Sequence, residues 1–291
     1  MRGVESARRR LLVATDLSAR SDRALGRAAL LAQASGAELV LLHAVNDDQP
    51  PSLIAAERRE ALLVLQAQAA ALQTLPAIRP VLAEGDPFEA ILRAAEAEAA
   101  ELVVLGQPRR RLLRDIFVGT TMERVLRHGH RPLLVVKTPP ATRYRHLLVA
   151  TDLSAHAARA LRAAVALGLT QGAEVTLLHV FETPGSAAMA LADLPAAAVA
   201  AHHAQAAREA QAALARFAAP IGLTPQPQFL VASGRPATVV KDLVARLRPD
   251  LLVLGTEGAG GLKRAVLGSV AAELLAEVAC DALVVPPAAA G

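Results

Sequence analysis

In 291 residues the chain has a single cysteine, Cys280, no tryptophan and one tyrosine. One cysteine excludes an intrachain disulfide and any site built from several thiolates, and it agrees with a reducing cytoplasm as the expected compartment. Aromatic residues amount to 2% of the chain, and no recognition motif accompanies the basic arm Arg8 to Arg10, so a nucleic-acid partner is not expected. Long apolar runs are also missing. Hydrophobic residues make up 53% of the chain, but Glu, Arg, Gln or His interrupts every run before it reaches membrane-spanning length, which predicts a soluble protein. The first apolar run, Leu11 to Ala14, is too short for a signal peptide. Charge of one sign is scarce as well: residues 1 to 140 carry 19 Lys+Arg against 16 Asp+Glu, and the remainder 12 against 11. Neither half is a basic module, although the net charge is +4.

What the chain does have is a repeat. LLVATDLSA occurs at Leu11 to Ala19 and again at Leu147 to Ala155, and at the same spacing GAELVLLHA from Gly36 meets GAEVTLLHV from Gly172. EGDPFEAIL from Glu84 then meets SGRPATVVK from Ser233, and Gly106 meets Gly255, at a spacing 13 residues longer. The second copy therefore carries an insertion between Val180 and Ser233. A period of one domain indicates a duplication rather than a solenoid. The expected domains are residues 1–140 and 141–291, joined by the stiff segment KTPPATRYR, Lys137 to Arg145.

Each copy alternates apolar strand runs with helical stretches. In the first, strands are expected near Leu11 to Thr15, Glu38 to Ala44, Ile78 to Leu82, Glu101 to Gly106 and Pro132 to Lys137. Helices are expected near Ser21 to Ser35, Ser52 to Leu72, Pro87 to Ala99 and Thr120 to His128. The second copy predicts strands at Leu147 to Thr151, Glu174 to Val180, Pro227 to Val231, Leu251 to Gly255 and Ala282 to Pro286, and a helix within Ser186 to Ala218 after a loop containing Pro195. Continuous runs such as LVLLHAV indicate strands buried on both faces, as parallel strands are. The expected fold is α/β: two tandem doubly wound domains, each a five-stranded parallel sheet of order 3-2-1-4-5 flanked by helices.

Strands 1 and 4 of such a sheet adjoin the crevice where ligands bind. In the second copy strand 1 ends in Thr151 and Asp152. Strand 4 ends in GTEGAGGLKRAVLGSV, with glycines at Gly255, Gly258 and Gly268, followed by Ser269. Glycines permit positive φ and close approach of a ligand to the backbone, and Ser269 can cap a helix or donate to a phosphate oxygen. Such a loop is suited to cradling phosphate, and it also serves any tight strand-to-helix turn. Asp16 and Asp152 fit either helix capping or ligand contact. His43 and His179 read as core histidines, and the adjacent His202 and His203 face different directions on a helix.

The sequence of strand, Thr-Asp-Leu-Ser, LLHV, G-x-P at a helix start and G-x2-G-x9-G-[ST] resembles the universal stress protein family, twice over and across nearly the whole chain. The resemblance implies a tandem member whose copies pair as the subunits of single-domain members do. It also implies a nucleotide site at Thr151, Asp152, Val180, Gly255, Gly258, Gly268 and Ser269, binding ATP with Mg²⁺ through the phosphates. Members of that family with the complete glycine motif tend to bind ATP. The first copy departs from it: Gly106, Gly119 and Thr120 are in place, but Arg109 stands where the middle glycine belongs and Pro108 removes a donor. The first site is therefore expected to bind ATP weakly or not at all. The cluster Arg109, Arg110, Arg111 and Arg114 is a solvated basic loop or an anion site. In the second loop Glu257 would repel phosphates unless it faces outward or meets a metal ion, and Lys263 and Arg264 could offset it. The expected role is a nucleotide-responsive regulatory protein with an unknown protein partner and a conceivable homodimer. The alternatives are a slow ATPase and a nucleotide-free interaction scaffold.

Overall fold

The structure, a computed structural model, describes residues 9–72, 75–108, 120–181, 195–256 and 267–287. By contact density it divides into two compact units, Met1–Arg143 with Asp281–Gly291, and Tyr144–Cys280.

In the first unit the order is β1 (Arg10–Ala14), α1 (Ala19–Ser35), β2 (Glu38–Val45), α2 (Pro51–Ala71), β3 (Ile78–Glu84), α3 (Pro87–Ala97), β4 (Leu102–Gly106), α4 (Thr121–His128) and β5 (Leu133–Val136). These five strands are parallel in the order β3-β2-β1-β4-β5, as the repeat pattern predicts. The all-buried Leu/Val runs Leu11 to Val13, Leu39 to Leu42 and Leu133 to Val136 explain why: helices cover both faces, and every strand residue there leaves water.

The second unit contains β6 (His146–Thr151), α5 (Ala155–Ala166), β7 (Glu174–Phe181), α6 (Ala196–Ala218), a 3-10 turn at Ala219–Ile221, β8 (Gln228–Ser233), α7 (Pro236–Leu247), β9 (Leu251–Gly255) and α8 (Ser269–Glu277). Its four strands are parallel in the order β9-β6-β7-β8, which repeats the 4-1-2-3 part of the first unit. Leu148, Leu178, Leu252, Leu254 and Leu274 form the centre of its core.

The last strand, β10 (Asp281–Val285), clusters with the first unit, where it pairs antiparallel with β5 through Ala282–Val135 and Val284–Leu133. The sheet of the first unit thus has a sixth strand, supplied by the second repeat. Asp281 at its start is fully buried and accepts from the backbone N–H groups of Lys137 (2.9 Å) and Thr138 (3.0 Å) and from the Thr138 hydroxyl (2.9 Å). Arg27 of α1, also buried, faces the same carboxylate at 3.3 Å and donates to the Thr142 carbonyl. A buried Asp on a buried strand is tolerated because its charge is paired and its oxygens are hydrogen-bonded.

Candidate nucleotide site

Strand β6 ends in a turn that its own side chains build. Thr151 Oγ1 accepts the Leu153 N–H at 2.9 Å, the Asp152 carboxylate accepts the Ser154 N–H at 3.0 Å, and Ser154 Oγ caps α5 by accepting from Ala157 N at 3.2 Å. Leu153 is held at φ 66°, a left-handed conformation that is uncommon for a branched side chain. The first repeat makes the same turn, with Leu17 at φ 56° and Asp16 accepting from Ser18 N. Behind each turn a histidine donates Nδ1–H to the threonine carbonyl, His179 to Thr151 at 2.9 Å and His43 to Thr15 at 2.8 Å. Both histidines are therefore braces of strand 2 against strand 1. Asp152 does not cap α5, a task that falls to Ser154; its carboxylate organises the turn and is exposed at the crevice.

Beside this turn lies a cavity of about 250 Å³. Thr151, Asp152, Val180, Gly255, Gly268 and Ser269 all line it. Gly258 lies outside the described residues, as do Glu257, Lys263 and Arg264 of the same loop and Arg109, Arg110, Arg111, Arg114 and Gly119 of the first repeat. The deeper wall is apolar, formed by Leu178, Val240, Leu254 and Leu274. Sequence reading missed Thr256, Ala157, Pro236 and Ala271, which also line the cavity. Comparing the repeats position by position would have flagged Ala157 and Ala271, because the first repeat has Ser21 and Met122 there.

The glycines act differently from expectation. Neither Gly255 nor Gly268 has a positive φ; Gly268 sits at −55° as the residue before α8. What Gly268 permits is close approach: a Cβ there would come within 3.0 Å of the Thr256 carbonyl. Its N–H is already used, donating to that carbonyl at 2.8 Å. The donors that remain are those of the first helical turn. No side chain caps α8, and the N–H groups of Ser269, Val270 and Ala271, all lining the cavity, have no intrahelical acceptor. A helix start of this kind attracts anions through its donors and its dipole.

The equivalent helix of the first repeat is closed. Thr120 caps α4 by accepting from Glu123 N, and the Glu123 carboxylate reaches back to accept the Thr120 N–H at 3.2 Å. The position of Glu123 is occupied by Ala272 in the second repeat. Met122, 8% exposed, and Ile91 stand where the cavity has Ala271 and Val240. The charges nearby are also inverted. In the first repeat Asp86 pairs with Arg124 at 2.6 Å; the corresponding pair in the second is Arg235 with Glu273. Burial pushes the Asp86 carboxyl up, but the Arg124 guanidinium and the Phe88 N–H outweigh it and hold the carboxyl below its usual range. The exposed Arg235 precedes the cavity-lining Pro236, so a cation stands near this crevice where the first repeat has an anion.

The model of the universal stress protein family matches residues 7–137 and, a second time, residues 143–286. The chain belongs to the universal stress protein family. It is a tandem member, with two family domains in one polypeptide. A universal stress protein of Thermus aquaticus, encoded in the 3′ region of a QAH/OAS sulfhydrylase, is 34% identical over 133 residues, 44% of this chain and 97% of that protein. Among solved structures, a universal stress protein from Archaeoglobus fulgidus covers 95% of this chain and 98% of its own, with a TM-score of 0.68 at 20% identity. A functionally unknown protein from Pseudomonas aeruginosa PAO1 covers 97% of this chain and 93% of its own, with a TM-score of 0.64 at 21% identity. At those identities the two structures speak for the shared fold alone. Among the described residues no helix is long and apolar enough to cross a membrane, and no group of three or more His, Cys, Asp or Glu side chains is assembled to hold a metal ion.

Proposed function

We propose that the second repeat binds ATP, with Mg²⁺ carried on the phosphates, and that the first repeat does not. The observation that carries this reading is the conjunction in one cavity of an apolar wall, an exposed carboxylate at Asp152 and an uncapped helix start at Ser269. The wall formed by Val180, Leu178 and Val240 suits a purine. Asp152 suits the ribose hydroxyls, and the first turn of α8 suits the phosphates. The cavity is small for a whole nucleotide, so the base and sugar fill it while the phosphates run along α8. Nucleotide occupancy would then satisfy donors that the protein leaves open at the start of α8 and change the charge of the crevice, a surface that a regulatory partner can read. On this reading the chain is an occupancy-dependent switch rather than a catalyst. Time-resolved release of ADP at stoichiometric protein separates this reading from a slow ATPase: the switch reading predicts none above the rate of the free nucleotide.

The assignment of Asp152 is tested by Asp152→Ala. Losing charge-assisted hydrogen bonds to a ribose is expected to weaken MgATP about 10-fold or more, while tripolyphosphate, which lacks the sugar, binds as before. Equal weakening of both ligands would move the carboxylate to the phosphate end and contradict the assignment.

A further inference from the structure

Thr256 follows Gly255 at the end of β9 and occupies a variable position of the glycine motif, which specifies no hydroxyl there. It is 4% exposed, it lines the cavity, and among the described residues its Oγ1 has no hydrogen-bond partner. Buried hydroxyls nearly always have partners, so one left open beside a cavity points to a group that the protein does not itself supply. The contrast with Thr151 is direct: that hydroxyl is engaged by the Leu153 N–H.

The backbone holds Thr256 in place. Its carbonyl accepts the Gly268 N–H at 2.8 Å, which ties it to the residue preceding α8 and so to the uncapped first turn. In the first repeat, where Glu123 closes the helix start, the corresponding residue is Gln107. The small hydroxyl residue and the open helix therefore occur together in the second repeat, and neither occurs in the first.

We infer that Thr256 is a further ligand-binding residue, donating its hydroxyl to a phosphate oxygen of the anion held at the start of α8. This rests on the nucleotide reading of the site and adds to it a donor at a variable position of the glycine motif.

The test compares wild type, Thr256→Val and Thr256→Ser, with MgATP and tripolyphosphate as ligands and thermal unfolding of the ligand-free protein as the control. Val keeps the shape and removes the hydroxyl. The expected result is about 10-fold weaker binding of both ligands by Thr256→Val, near-wild-type binding by Thr256→Ser, and an unfolding midpoint of ligand-free Thr256→Val equal to or above wild type. A lower midpoint would show that the hydroxyl serves the ligand-free fold and would overturn the inference. Weakening of MgATP alone would overturn the phosphate assignment. If wild type and Thr256→Val bind equally well, this inference fails while the nucleotide reading stands; if wild type binds neither ligand, the nucleotide reading fails and takes this one with it.

Discussion

Ala272→Glu is expected to abolish nucleotide binding while leaving the protein more stable than wild type. The substitution copies Glu123 into the second repeat; α8 starts one residue earlier than α4, with Gly268 before it where α4 has Thr120, so the introduced carboxylate stands in the first turn of α8 beside its open N–H groups rather than in a reciprocal box. A carboxylate in the first turn of a helix stabilises it by about 0.3–1 kcal/mol, so the unfolding midpoint rises. The same carboxylate takes a donor from the phosphates and places a like charge beside them. Charge-assisted hydrogen bonds contribute about 1.5–3 kcal/mol each, so affinity falls by roughly 100-fold or more. The opposed signs make the result decisive. A substitution that merely damages the helix lowers both quantities, and unchanged affinity would mean that the ligand does not use the start of α8. The converse variant, Glu123→Ala, is not expected to open a site in the first repeat, because Met122 and Ile91 remain where the cavity has Ala271 and Val240.

Asp281→Ala is expected to cost about 3–5 kcal/mol of stability, the range for breaking a buried ion pair from one side. The carboxylate is fully buried, faces Arg27 at 3.3 Å and accepts from two backbone N–H groups and the Thr138 hydroxyl. Its loss leaves the buried Arg27 without that counter-charge at the point where β10 joins β5. Asp281→Asn, which keeps an acceptor for the N–H groups, is expected to cost less. Urea denaturation measures both. A cost below about 1 kcal/mol for the alanine variant would show that β10 is held by its apolar residues Ala282 to Val285 without help from the cluster.

Much of this was legible in the chain because the duplicated runs fix both strand type and order. The unbroken apolar runs LLVA and LVLL within LLVATDLSA and GAELVLLHA read as buried parallel strands, and these segments and their second copies hold β1, β2, β6 and β7. The six described binding candidates come together because they sit at the ends of β6, β7 and β9 and at the start of α8, which strand order alone places side by side. The pairing of β10 with β5 was less accessible. Its apolar pattern is satisfied by any buried strand position, and only the Asp281 cluster, assembled from residues far apart in sequence, marks where it docks. The state of α4 and α8 was hidden for another reason. Thr120 and Ser269 look equivalent in the motif, and the difference lies three residues further on, in Glu123 against Ala272, where no glycine pattern directs attention. Of the two reasons the sequence offers for Gly268, positive φ is not adopted; the close contact with Thr256 requires a glycine there in addition to any approach of a ligand.

The account's central claim is that one repeat of the pair carries a working nucleotide site. Calorimetric titration of MgATP into the wild-type chain and into Gly258→Arg, which copies Arg109 into the second repeat, tests it most directly. One site per chain in the wild type and none in the variant is the predicted result. Two sites in the wild type would contradict the closure of the first repeat, and no binding at all would contradict the nucleotide reading itself.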